Sequence, residues 1–125
     1  MTLSRIRLEL ARDHDFPQGS REQGYEFTVP LDGEGRIDAS AWKDKRDLCR
    51  VRRFWTGEED EIGHVIRRTS GDWAFLYDLE GDPDDIETGY RLGQESFVPG
   101  EYVSIKEHDE VMRTFRVVTV LPLTE

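Results

Sequence analysis

Acidic side chains in the second half of the chain have the spacing of a cation-binding loop. Asp78, Glu80 and Asp82 stand at the i, i+2 and i+4 positions where a calcium loop places its first three oxygen ligands. Pro83 then occupies the sixth position, where such a loop needs glycine, and a glycine occupies the twelfth, where it needs a bidentate glutamate. The pattern favours a solvated acidic loop over residues 78–87, with cation binding as the alternative.

The usual metal ligands and nucleophiles are widely separated. No H-x-H or H-E-x-x-H spacing occurs among the three histidines, which are His14, His64 and His108. Cys49 has the cations Arg50 and Arg52 nearby, which would make its thiolate more reactive, but strand neighbours point to the opposite face. A buried structural thiol is therefore favoured. No P-loop, nucleophile elbow or triad order is readable, so we expect no catalytic residues, no metal and no cofactor.

The segment at 97–103 reads F-V-P-G-E-Y-V. It resembles the turn of the flavin-binding barrel in the ferredoxin reductase family, where F-x-P-G-Q-Y-V precedes an R-x-Y-S/T strand. The resemblance covers about twenty residues and implies a flavin held against Tyr102 and Arg113; Arg116 departs from it at the small hydroxyl position. The same turn also has a purely architectural explanation, because proline presets φ and the following glycine permits a sharp reversal. The architectural interpretation is favoured, with a flavin-dependent enzyme as the alternative.

Period-two alternation of apolar residues recurs along the chain and predicts strands. We expect a mostly β fold, a small single-domain β-barrel of about seven strands that spans residues 1–125, because closure removes exposed strand edges. One short helix is predicted over 37–48, capped by Asp38 or Ser40, at one end of the barrel. Residues 12–24 are expected to form a long loop, 90–98 a short irregular strand, and a change of phase near 52–53 suggests a β-bulge.

Composition limits the possible functions. Residues 1–56 carry 11 Lys/Arg and 10 Asp/Glu, whereas residues 57–125 carry 6 and 17, for a net charge of −10. Such acidity repels phosphate backbones, so no nucleic-acid partner is expected, and basic clusters at 43–46 and 50–53 are interpreted as solvated faces. One cysteine cannot form an internal disulfide, and no apolar run is long enough to span a bilayer. We expect a cytoplasmic protein without a membrane role.

Aromatic residues carry the most specific functional hint. Trp73, Phe75 and Tyr77 share one face of a predicted strand whose other face is also apolar. Rings of this kind dominate both cores and binding hot spots, so they could line the barrel interior or an exposed platform. With Arg52 and Arg53 as polar orienters, they suggest a non-enzymatic binding or assembly module. Its partner would be a small ligand, another protein or a second copy in a homodimer.

Overall fold

The predicted strands form one closed antiparallel β-barrel. The computed structural model describes residues 2–69, 71, 73–77, 87–90, 96–107 and 111–123, with backbone alone for residue 2 and for 87–90. The strands are β1 Thr2–Leu10, β2 Ser20–Leu31, β3 Arg50–Phe54, β4 Glu61–Arg67, β5 Trp73–Tyr77, β6 Glu87–Tyr90, β7 Tyr102–Lys106 and β8 Met112–Pro122. Each strand pairs with the next along the chain, and β8 pairs with β1. The mostly β barrel class is confirmed, with eight strands in the described residues where about seven were expected.

Alternate side chains of the strands fill the barrel interior. Buried rings are in contact along its length: Phe27 lies 5.4 Å from Phe75 and 5.6 Å from Phe97, and Tyr25 lies 5.2 Å from Phe75 and 5.1 Å from Phe115 between ring centroids. Aliphatic residues from β1, β2, β7 and β8 complete the same cluster. Barrels of eight strands have an interior that side chains can fill, and this one is packed as a core.

A short helix closes one end of the barrel. Helix α1 spans Ala39–Asp44 and is followed by a 3₁₀ turn at Arg46–Leu48, so it is shorter than the predicted 37–48. Of the two predicted caps, Asp38 is the one used, since its Oδ1 accepts a hydrogen bond from the Ala41 N–H. Trp42 packs edge-on against Trp73 at 5.1 Å and donates its indole N–H to a β4 carbonyl. The helical end is therefore sealed by apolar packing.

The predicted bulge near residues 52–53 is wrong. The register of β3 with β2 and with β4 is continuous. The register shifts lie instead where β1 pairs with β2 and with β8, and the extra residues belong to β2 and β8. The apparent change of phase arises because Arg53 points inward and Phe54 points outward. The Phe54 ring is covered by the guanidinium groups of Arg7 and Arg52, at 4.4 and 5.0 Å, and lies over Gly24, where a Cβ would meet it at 3.0 Å.

Two other boundaries differ from the prediction. Strand β2 begins at Ser20, so the loop before it covers residues 11–19 and not 12–24. The strand expected over 90–98 is replaced by β6, and residues 91–95 lie outside the described residues. In the described part of the chain, no helix has the length and apolar character required to cross a membrane.

The turn before β7 has the architecture that its sequence predicts. Gly100 has φ +96°, which glycine adopts without strain, and the Glu101 N–H donates to the Val98 carbonyl across the reversal. Pro99 occupies the preceding turn position, where its fixed φ is favourable. The Phe97 side chain is buried in the core. Its backbone N–H also donates a hydrogen bond to the Gly35 carbonyl at 2.7 Å, which fixes the turn to the loop after β2.

Candidate functional site

The five side chains proposed from the sequence as a binding surface do not share one face. Trp73, Phe75 and Tyr77 all point into the barrel and are at most 4% exposed. Arg53 also points inward, whereas Arg52 lies on the outer wall. The aromatic stripe thus belongs to the core of the described molecule, and the barrel wall separates the two arginines.

Arg52 is part of an outer-wall ion network. It donates to the carboxylates of Glu26 and Asp60, both at 2.8 Å, and these bonds raise the pKa of Arg52 although burial opposes them. Glu26 also accepts a hydrogen bond from Arg7, whose guanidinium likewise packs on the Phe54 ring. This network holds Arg52 on the outer wall, on the opposite side of the sheet from the aromatic face.

A second set of charges lies inside the barrel, at the end opposite α1. We call Tyr25, Arg53, Glu107 and Arg113 the mouth cluster. Glu107 is 3% exposed, and its Oε2 accepts from the Tyr25 hydroxyl at 2.6 Å and from Arg53 Nε at 3.2 Å. Its Oε1 lies 3.3 Å from Arg113 Nε in an ion pair. One buried carboxylate is therefore held between two guanidinium groups, because a buried charge is tolerated only when it is paired.

Each mouth arginine also binds the loops that border the mouth. Arg113 donates to Asp13 at 3.0 Å and to Asp15 at 3.1 Å, and Arg53 donates to Glu58 at 3.1 Å. Desolvation acts against the charged form of Arg113, but the hydrogen bonds to the two aspartates raise its pKa, so the guanidinium stays charged. Residues 13–15 are in this way fixed to the barrel.

The Trp55 ring packs against the guanidinium groups of both mouth arginines. The Arg53 and Arg113 guanidinium carbons lie 4.4 and 5.6 Å from its ring centroid, within the range of cation–π attraction. The Phe16 ring packs edge-on against the same indole at 6.1 Å. The loop at 11–19 is consequently attached to the mouth by two ionic bonds and one ring contact.

The outer side of that loop forms one wall of an open cleft of about 660 Å³. The floor is built from β7, β8 and β1, and we call it the arginine cleft after three of its side chains, Arg12, Arg21 and Arg116. All three are exposed, and no carboxylate among the described residues forms an ion pair with any of them. Three unpaired guanidinium groups at one cleft are notable in a chain of net charge −10.

Strand register orders the floor of the arginine cleft. Tyr102 of β7 is opposite Arg116 of β8, and Arg116 is opposite Glu9 of β1. All three side chains belong to the outer wall, since their strand neighbours point into the core. Glu9 is already paired with Arg7 Nε at 2.8 Å. The cleft has the exposed Tyr102 ring at one side and three arginines across the rest, with the Glu9 carboxylate between them on the floor.

Sequence reasoning missed both sets of residues. Arg113 was considered only beside Tyr102 as a flavin contact, but Arg113 points into the barrel and Tyr102 points outward, so one flavin could not lie against both. Glu107 was not among the candidate residues. The single local signal for the mouth cluster was the apolar pattern interrupted at Arg53, which marks an inward-pointing cation.

The metal and thiol expectations have separate outcomes. Within the part of the chain that the structure describes, no group of three or more His, Cys, Asp or Glu side chains could hold a metal ion. The acidic segment 78–86 and His108 lie outside the described residues. Cys49 is fully buried, and desolvation raises its pKa to about 11 although Lys45 lowers it. Its thiol is therefore in the unreactive form at neutral pH.

Comparisons with protein-family models, curated proteins and solved structures find no match to this chain.

Proposed function

We propose that this protein is a non-enzymatic binding module that holds a small anionic ligand in the arginine cleft. The observation that supports the proposal is that Arg12, Arg21 and Arg116 line one cleft and that none of them has an acidic partner in the described structure. Other arginines of the described residues do form ion pairs, among them Arg7, Arg36, Arg52, Arg53 and Arg113. An acidic chain with many carboxylates leaves these three cations uncompensated, and an external anion would compensate them.

Chemistry of the side chains favours a carboxylate or phosphate group. A guanidinium presents donors in a planar fork that matches either group, and bonds of this kind are charge-assisted. Thr114 and Ser20 also line the cleft and add hydroxyl donors. Each hydrogen bond to a charged group contributes about 1.5–3 kcal/mol, and exposed pairs contribute less, so we expect Kd between about 10 µM and 1 mM.

The barrel interior is filled by side chains, so the proposed ligand site lies on the outer wall. Eight-stranded barrels can carry a ligand inside, but the rings of Trp73, Phe75 and Tyr77 occupy this interior. The proposal therefore keeps a binding role for the protein and assigns it to the arginine cleft and not to the aromatic stripe.

Isothermal titration with pyrophosphate and with citrate at low ionic strength tests the proposal. We expect binding that weakens as salt is added, because exposed ion pairs are screened. Replacing Arg12 and Arg116 together by glutamine should reduce affinity at least tenfold. Arg5→Gln is the matched control, since Arg5 is an exposed outer-wall arginine that does not line this cleft.

Two results would overturn the proposal. One is the lack of any binding by the unsubstituted protein at 10 mM of either anion. The other is a dimer, seen by size exclusion with light scattering, that the substitutions at Arg12 and Arg116 dissociate. That dimer would mean that a second copy of the chain occupies the cleft in place of a small molecule.

A further inference from the structure

We infer that the ligand of the arginine cleft carries a planar ring in addition to its anionic group, as a mononucleotide does; this inference rests on the proposed function. The observation behind it is Tyr102, whose side chain is 55% exposed on the floor of the same cleft. An inorganic anion would make no use of that ring. A base or other flat ring would cover it.

The order of the strands separates the ring from most of the charge. The cleft crosses β7, β8, β1 and β2 in that order, and neighbouring strands are about 4.8 Å apart, so Tyr102 and Arg21 are separated by about 14 Å across the sheet. Arg116 stands next to Tyr102, and Arg12 approaches from the loop before β2. A ligand with a ring at one end and phosphate at the other fits this order.

Glu9 adds a requirement for hydrogen-bond donors on the ligand. Its Oε2 accepts from Arg7, while no described group donates to its Oε1. This carboxylate lies beside Arg116 in the strand register and would repel a second anionic group placed over it. Sugar hydroxyls or an exocyclic amine would instead donate to it. A nucleoside portion supplies such donors between the ring and the phosphate.

Charge on the rest of the molecule favours a free small molecule over a polymer. The net charge of −10 repels the extended phosphate chain of RNA or DNA. A mononucleotide brings a single phosphate group to the arginine cleft and escapes most of that repulsion. Stacking of one base on an aromatic side chain contributes about 5- to 150-fold in affinity, which is enough to distinguish nucleotide from phosphate.

Titrations of AMP, inorganic phosphate and adenosine, each followed by calorimetry, test the inference. We expect AMP to bind at least fivefold more tightly than phosphate. Tyr102→Ala should remove that advantage and leave phosphate binding unchanged, and Tyr102→Phe, which retains the ring, should keep it. Arg116→Gln should weaken both AMP and phosphate. Tyr102 is exposed, so its substitutions should leave the thermal midpoint within about 2 °C of the unsubstituted protein.

The outcomes distinguish this inference from the proposed function. If neither phosphate nor AMP binds, the anion-binding function itself fails. If phosphate and AMP bind equally, or if Tyr102→Ala preserves the preference for AMP, the cleft binds anions and the ring inference is overturned. If a ten-nucleotide single-stranded RNA binds more tightly than AMP and Arg116→Gln weakens it, the ligand is a polymer and the small-molecule inference is overturned.

Discussion

Glu107→Ala is the sharpest test of the mouth cluster. The substitution removes the carboxylate that contacts both Arg53 and Arg113 inside the barrel, and the Glu107 and Arg53 side chains are only 2% and 5% exposed. Arg53 would keep its bond to Glu58, which is half exposed, but its Nε would lose the buried acceptor. The perturbation therefore removes a buried counter-ion from a desolvated cation.

The size of the effect follows from this burial. Breaking a buried ion pair by removing one partner costs about 3–5 kcal/mol, most of it the penalty of the charge left behind. With a urea dependence of about 2 kcal/mol/M, a loss of about 4 kcal/mol lowers the unfolding midpoint by about 2 M. Glu107→Gln retains the size of the side chain and an acceptor for the Tyr25 hydroxyl, so its loss should be smaller than that of the alanine variant.

Equilibrium urea unfolding followed by tryptophan fluorescence measures these changes. The matched control is Glu34→Ala, which breaks an ion pair with Arg36 at 3.0 Å whose side chains are 74% and 49% exposed; it should cost less than about 1 kcal/mol. A combined Glu107→Leu and Arg53→Met variant should be more stable than Glu107→Ala, because no buried charge is then left unpaired. A Glu107→Ala loss no larger than that of the Glu34 control would refute the assignment of a buried, paired carboxylate.

Two further predictions concern the core. Cys49 should react with a thiol reagent far more slowly in the folded protein than in urea at pH 8, because burial raises its pKa to about 11. Since the pKa of Cys49 in the folded protein lies above its unfolded value near 9, the stability linked to this thiol is present below pH 9 and is lost as pH rises toward 11. Urea unfolding of the unsubstituted protein should show this loss of stability, and urea unfolding of the Cys49→Ala variant should not. Rapid modification of the folded thiol at pH 8 would contradict the burial of Cys49. Trp42→Phe should lower the free energy of unfolding by about 1–3 kcal/mol, because it leaves the buried Val65 carbonyl without the indole donor at 2.9 Å, and a change below about 0.5 kcal/mol would contradict the importance of that bond.

Local sequence signals predicted the elements that depend on neighbouring residues. Alternation of apolar and polar residues predicted the strands, because successive side chains of a strand face opposite sides of the sheet. Asp38 was among the predicted caps because a short acceptor before a helix satisfies its free N–H groups, and the Pro99-Gly100 pair indicated a turn from φ preferences alone. Each of these effects acts over a few residues.

Strand irregularities and side-chain orientation were harder to predict from the sequence where a charged residue has its ionic partner far along the chain. An inward arginine breaks the apolar pattern of a strand and resembles a bulge, as it did at Arg53. Its partner Glu107 is 54 positions away and belongs to another strand pair, so no local pattern connects them. A buried charge becomes acceptable only when the fold brings its counter-ion, and that condition is set by the tertiary structure.

The sequence by itself determined a small mostly β barrel with a short capped helix, because period-two alternation and turn residues are local and strong. Only the tertiary structure decided which side of the wall each polar residue occupies and which of them meet. Closure of β8 onto β1 brings Arg116 beside Glu9 and near Arg12, about a hundred positions earlier, and thereby builds the arginine cleft. Long-range pairing of strand edges, rather than any motif, assembles that surface.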